Sequence, residues 1–519
     1  MTFFDFSFWA FVAICLILYY IVPQKVQKYI LLVASIVFYC FCGVKNLVFI
    51  IGVALVTWVG AYLLDRQEKR QKALLSETTE REKKQIIKAA TRKRKLVILW
   101  TGVSVLIALL CILKYLIPVT RFFGLTDWSE KSIVIPLGIS FYTFQAMGYL
   151  IDVYNKRIKA EKNLFLYFLF ISYFPQITQG PISRFTDLAS QFREGRKFEA
   201  QNIKQGIIII LWGAFKKLAV ADRIAPFVLN ITGDSFHSKG SIALFTVFLY
   251  AIQLYADFSG GIDMAKGVSM LFGIRLPENF KRPYFSVSMT EFWRRWHITL
   301  GDWMREYVFY PLAFSKPMRK LTKKIKKKNT QFAKVFPAII GNLIVFLLIG
   351  IWHGAKMTFV AWGLYNGIVL SLSAVFENKS KAFRLKHTKL VTKKSWYVFC
   401  VLRTFLLVLL GYFFDCANTF TDGLKMLTSV FTNFGAKSLF SGFVFEEGLS
   451  KGGLIKLLPA VLIIFIVSVF MEKGVNIVSR INQKPLLLRS FIYSGLLVAF
   501  LFFTANGFNE VGGFMYAIF

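Results

Sequence analysis

The chain has 519 residues, 56% of them hydrophobic, with 56 phenylalanines and a formal charge of +36. Only 18% of it is charged, against about 25% in soluble domains, and its apolar runs are continuous rather than alternating, which excludes both a soluble globular protein and a transmembrane β-barrel. The Lys and Arg excess suits loops held beside an anionic leaflet, and no nucleic-acid module accompanies it, so nucleic acid is not an expected partner.

A membrane span needs roughly 20 apolar residues at 1.5 Å rise each. Runs bounded by charge, Pro or Gly predict spans near 8–22, 29–43, 46–64, 98–117, 133–152, 205–225, 241–257, 337–352, 356–376, 396–415, 456–472 and 488–505. The first lacks a basic leader and a small-residue cleavage site, and it reads as a span rather than a signal peptide. Residues 66–95 hold twelve Lys/Arg, 315–328 eight and 379–394 seven. Placing all three in the cytoplasm puts the N-terminus and residues 416–455 outside. Segment 66–95 is expected as a surface helix with charge pairs on one face. Residues 164–183 are expected as a re-entrant or in-plane element, because a full crossing there would export Arg184, Arg193, Arg196 and Lys197. Segment 258–310 mixes apolar, Gly, Pro and charged residues too finely for a simple span. The six cysteines, at 15, 40, 42, 111, 400 and 416, form no C-x-x-C pair and read as small interior residues. No metal site is expected.

Zinc-protease, P-loop, G-x-S-x-G and dinucleotide-binding motifs are absent. Gly233-Asp234-Ser235 imitates an esterase nucleophile motif, but it lies in a short loop with no α/β domain to complete a site. The titratable groups that stand out are His297, in Glu291–Leu312 (EFWRRWHITLGDWMREYVFYPL), and His353, in Ile349–Met357 (IGIWHGAKM). An ionisable side chain at membrane depth costs roughly 2.5–3.5 kcal/mol by insertion scales, which makes function the default reading. An imidazole can take a proton near neutrality and return it, and burial keeps it in the neutral form a base needs. His297 lies four residues after Trp293, on the same face of an expected helix, and Asp302 and Glu306 share that spacing. Arg294, Arg295 and Arg305 read either as membrane-surface arginines, with Trp296 and its neighbours as interfacial anchors, or as contacts to the phosphates of a donor such as coenzyme A. Further polar clusters lie at Gln145, Tyr149 and Asp152, at Gln176, Gln179 and Arg184, and at Asp257–Asp263 leading to Asn279. Interhelical packing and function both remain open for these.

The segments PLGISFYTFQAMGYLIDVY, YFPQITQGPISRF, YADFSGGIDMAKGVSMLFGIRLPENFKRPY, EFWRRWHITLGDWMREYVFYPL and IGIWHGA, in this order over residues 136–356, resemble the membrane-bound O-acyltransferase family. Within the family the chain looks like the bacterial branch that modifies extracytoplasmic polymers, similar to the membrane component of alginate O-acetylation, with D-alanylation of teichoic acids as the alternative. The resemblance implies an all-α polytopic enzyme of about 11–12 transmembrane helices plus re-entrant or in-plane helices around a central tunnel. It also implies His353 as the catalytic histidine and His297 as the second functional one. Residues 1–132 would be N-terminal helices with a basic loop at 65–97, residues 133–376 the acyltransferase core, and residues 377–519 C-terminal helices. The donor-binding set would be Arg294, Arg295, Trp296, Asp302, Arg305, Glu306, Gln145 and Gln179. The expected donor is acetyl-CoA, with no permanent cofactor. The expected partners are a secreted or membrane-anchored acetyltransferase and an extracytoplasmic polysaccharide, at a bacterial cytoplasmic membrane. Arg305-Glu306-Tyr307 followed by Ala313-Phe314-Ser315-Lys316 departs from the Arg-Asp-Tyr and Gly-Gly-Asn-Arg of alginate-type members, which bears on the polymer. A lipid-linked sugar transporter or a non-catalytic assembly subunit are the rival classes.

Overall fold

The computed structural model describes residues 3–122, 136–233, 239–504 and 514–515. Every regular element among them is helical, the arrangement that lets an apolar segment satisfy its own backbone groups in lipid. Among the described residues eight helices are long and apolar enough to cross a membrane, and the chain is an all-α polytopic membrane protein. It forms two compact units, Met1–Ile210 with Ala265–Pro277, and Leu211–Met264 with Glu278–Phe519.

In the first unit α1 (Phe6–Ile21) and α2 (Gln24–Phe41) precede two long helices, α3 (Leu47–Ser76) and α4 (Arg81–Phe122). The charged stretch 66–95 is therefore not a separate surface helix. It is the end of one long helix and the start of the next, joined where Glu68 pairs with Lys95 at 3.2 Å and with Lys156 at 2.6 Å. Helix α5 (Ile139–Tyr154) is almost wholly buried. Glycines let it come close: a Cβ on Gly102 would lie 2.6 Å from the Leu150 side chain. Helix α6 (Leu164–Ser172) stops at Tyr173, before α7 (Phe174–Ile177) and α8 (Phe185–Glu194). At 1.5 Å per residue α6 covers about 14 Å, half a hydrocarbon core.

Helix α9 (Ala200–Phe215) runs through a wider, π-type turn at Lys216–Ala221 into α10 (Asp222–Gly233). Helix α11 (Gly240–Leu271) has 32 residues and does not end near 257 as its charges suggested. Those charges are matched instead. Lys217 Nζ is 2.7 Å from both Asp257 and Asp222, while Lys216 Nζ is 2.8 Å from Asp263 and from Ser259 Oγ. A neutralised carboxylate can stay in a helix interior where a lone one would force an exit. Gly213 and Gly260 bring the backbones together, a Cβ on Gly213 falling 2.5 Å from the Gly260 oxygen. The decoy Gly233-Asp234-Ser235 lies outside the described residues apart from Gly233.

The second unit continues through α12 (Met289–Arg295), α13 (Ile298–Met304), α14 (Tyr310–Ala313) and α15 (Lys316–Lys326) to a tight antiparallel pair, α16 (Thr330–His353) and α17 (Met357–Lys386). Gly350 and Gly363 set the distance between the pair. A Cβ on either would lie 2.3 or 2.4 Å from a carbonyl oxygen of the other helix, the small-residue packing that membrane helices use. Four larger helices follow: α19 (Lys394–Asp415) after the single turn α18 (Thr388–Val391), α20 (Phe420–Thr432), α22 (Lys451–Glu472) after α21 (Phe443–Glu446), and α24 (Leu486–Thr504) after α23 (Ile477–Asn482).

Lys217→Met removes the cation that holds two buried carboxylates. Detergent-solubilised protein carrying it should unfold at a clearly lower temperature, on the scale of 3–5 kcal/mol, and adding Asp257→Asn should recover part of the loss.

Candidate active site

The W-R-R-W-H stretch is not one helix. Helix α12 ends at Arg295, Trp296 is extended, and His297 takes a left-handed conformation (φ 44°, ψ 54°) as it caps α13. The cause is Asn279. Its backbone oxygen accepts the Ile298 N–H at 3.0 Å, and its side-chain Oδ1 accepts the Thr299 N–H at 3.0 Å and the Thr299 hydroxyl at 2.9 Å. These bonds satisfy the open end of α13 and draw the chain out of the α12 helix. A left-handed conformation at a non-glycine residue costs about 1–3 kcal/mol and is kept where the surroundings over-determine it. The His297 ring is buried, with Nδ1 3.2 Å from Asn279 Oδ1 and its face met edge-on by Phe258 at 4.9 Å.

His353 is the last residue of α16, also buried, and Gly354 follows it in extended backbone. Its ring lies against Trp352, Trp362 and Phe359, with centroids at 5.0, 5.2 and 5.8 Å. Trp293 of α12 meets Trp362 at 5.7 Å, so one aromatic shell joins the two histidine segments within the second unit. Burial first, and the charge His353 can carry second, push the His297 pKa down to about 3. The two rings are close enough for each to feel the other's charge.

The other expected site residues divide. Trp296 is buried against Phe292 and Phe280. Arg295 is gripped by carboxylates, Glu291 at 2.6 Å and Glu472 at 2.9 Å, and Glu472 also holds Arg282 at 2.6 Å. Arg294 is exposed. Arg305 pairs with Asp302 at 2.7 Å. Asp302 and Glu306 do not keep a regular i, i+4 relation, because the chain widens into a second π-type turn over Arg305–Phe309. Gln145 and Gln179 belong to the first unit. Gln145 Nε2 is 3.4 Å from the Ser183 oxygen, while the Gln179 amide is buried with no protein partner for either end.

Three further buried polar atoms lie on residues around the histidine segments without a protein partner: Trp293 Nε1, Asn279 Nδ2 and Thr358 Oγ1. Leaving a buried donor unmet costs about 1–3 kcal/mol. All three can donate, which suits a ligand rich in acceptor oxygens. The sequence reading passed over Lys216 and Lys217, although two adjacent lysines in IIIILWGAFKKLAVA are as anomalous at membrane depth as the histidines. It also passed over Thr358 and Trp362, which carry no signal without the fold.

The membrane-bound O-acyltransferase family model matches residues 157–417, a range that holds both histidines, Asn279 and the lysine pair. The probable alginate O-acetylase of Pseudomonas putida is 32% identical over 439 residues, covering 81% of this chain and 78% of its own length. The chain belongs to the membrane-bound O-acyltransferase family. A peptidoglycan O-acetyltransferase of Helicobacter pylori is 33% identical over 323 residues, 57% of this chain and 56% of its own. A teichoic acid D-alanyltransferase of Bacillus subtilis is 30% identical over 287 residues, 55% of this chain and 69% of its own. As a member of the family the protein is an acyltransferase.

His297 unfolds to an ordinary imidazole with a pKa near 6.5 but is held near 3 in the fold. Below about pH 6.5 the unfolded chain therefore binds more protons, and the stability gained by keeping this ring neutral is full above that pH and lost as the pH falls toward 3. Thermal unfolding between about pH 7 and 5 should show a smaller drop in His297→Gln than in the unaltered protein.

Proposed function

We propose that this acyltransferase moves an acetyl group from a cytoplasmic thioester, acetyl-CoA, toward O-acetylation of a polysaccharide outside the cytoplasmic membrane. The observation that carries the reading is the pair of buried imidazoles, His297 and His353, held within each other's field by one aromatic shell. His353 serves as general base. It accepts the acceptor hydroxyl's proton as that oxygen attacks the thioester carbonyl carbon. The new C–O bond forms, the C–S bond breaks, and the departing sulfur takes the proton to leave as a free thiol. His297 assists that proton transfer or orients the donor. A closed aromatic surrounding supports the step by limiting competing hydrolysis and holding the reactants in register. The acceptor hydroxyl belongs to the glycan or to a secreted or membrane-anchored acetyltransferase partner. The basic segments at 66–95, 315–328 and 379–394 support an orientation with the donor side in the cytoplasm and the N-terminus outside.

Acetylation is preferred over D-alanylation because the alginate-type relative aligns with 81% of this chain and the D-alanyl relative with 55%. The departure after Tyr307 leaves the polymer to be identified by its own chemistry.

In membranes containing the protein, labelled acetyl-CoA should donate to a hydroxyl acceptor. His353→Ala should lower that transfer by about 10²–10⁴-fold, the scale of losing a general base, with unchanged expression. Transfer unaffected by His353→Ala sinks the assignment.

A further inference from the structure

The geometry points to Asn279 as a positioning residue that fixes His297 as the Nδ1–H tautomer, leaving the lone pair on Nε2, so that His297 works as a proton acceptor and not as a donor to the thioester oxygen. The inference deepens the proposed function and rests on it for its catalytic consequence, though not for the tautomer itself.

The first step concerns the amide. The Thr299 backbone N–H can only donate, and it points at the Asn279 side-chain atom 3.0 Å away. That atom must therefore be oxygen, since a flipped amide would set donor against donor. The Thr299 hydroxyl, 2.9 Å from the same oxygen, agrees with this orientation. Asn279 is 1% exposed, and the same orientation leaves its Nδ2 without a protein acceptor. The amide thus forgoes bonds at one end to keep its oxygen at this junction.

The second step concerns the ring. Oδ1 is an acceptor with no hydrogen to give, and His297 Nδ1 lies 3.2 Å from it. A favourable contact there requires the proton on Nδ1. A neutral imidazole has one N–H, so Nε2 then carries the lone pair. The ring is kept neutral by burial and by the neighbouring His353. Rotation of the ring is opposed by Phe258 edge-on to it and by the left-handed backbone, which the Asn279 oxygen holds through Ile298. In the transfer step the Nε2 lone pair can take a proton, either from the attacking hydroxyl or from His353, and pass it to the departing sulfur. It cannot offer a hydrogen to the developing oxyanion.

The test labels the histidine rings with ¹⁵N in the full-length protein reconstituted in lipid, with His297→Gln assigning the resonance. The inference expects His297 with a protonated Nδ1 and an unprotonated Nε2. In Asn279→Ala it expects the proton to move wholly or partly to Nε2. A proton on Nε2 in the unaltered protein, or an unchanged ring in Asn279→Ala, overturns it. Asn279→Asp keeps an acceptor oxygen at the junction and guards against a variant that simply fails to fold. It should retain the Nδ1–H tautomer, and its carboxylate should move the acid limb of acetyl transfer to higher pH. Asn279→Ala should lose roughly 10- to 100-fold in turnover, the scale seen when a partner that orients a functional imidazole is removed. A tautomer as expected in a protein that transfers no acetyl group leaves the positioning role standing and removes the acetyltransferase reading.

Discussion

One carboxamide oxygen, that of Asn279, decides the shape of the histidine centre. It meets the Thr299 N–H in the first turn of α13, the Thr299 hydroxyl and the imidazole of His297, while the backbone oxygen of the same residue meets the Ile298 N–H. The local fold and the presentation of the ring are therefore set by the same residue. Helix termini carry backbone groups that need partners, and an interior break supplies them where a continuous helix has none to offer. A continuous α12–α13 helix would have used these N–H groups internally and would have put the ring on the Trp293 face.

Polar groups elsewhere in the second unit are treated differently. Lys216 and Lys217 are matched against three carboxylates and a hydroxyl at 2.7–2.8 Å, and Arg295 and Arg282 share Glu472. Such pairs resist the removal of either partner more than they add net stability, because a stranded buried charge is what costs most. They serve here as rigid joints. The wide turn at Lys216–Ala221 lets two consecutive lysines reach carboxylates on α11 and α10, which regular helical spacing would splay apart. His297 is treated differently, because burial and the neighbouring His353 keep its ring neutral.

The membrane class and most spans were legible in the sequence from long apolar runs, and the same background makes the buried His297 and His353 stand out as ionisable groups. The half-length α6 was legible too, from the arginines that a full crossing would have exported. Errors arose where tertiary contacts override local pattern. Asp257 and Asp263 looked like the end of a span because their lysines lie more than 35 residues earlier in the chain, a pairing no local window can show. Trp293 and His297 looked like one helical face because nothing in W-R-R-W-H announces that Asn279, 18 residues before His297, will capture the next two N–H groups. The charged stretch 66–95 looked like a separate helix because composition marks where charge begins but not whether the backbone continues through it.

The site carries several features that oppose folding. A left-handed histidine and the unmet donors of Trp293, Asn279 and Thr358 each stand against folding, at about 1–3 kcal/mol apiece. Such a cluster persists only if the elements carrying it cannot relax toward one another. The glycine contacts between α16 and α17 supply that rigidity at His353, because backbone packed on backbone has no side chain to rearrange. The ion-paired joint on α11 does the same for Phe258, the ring that braces His297. Donors that find no acceptor in the protein are free energy held for a ligand that brings one.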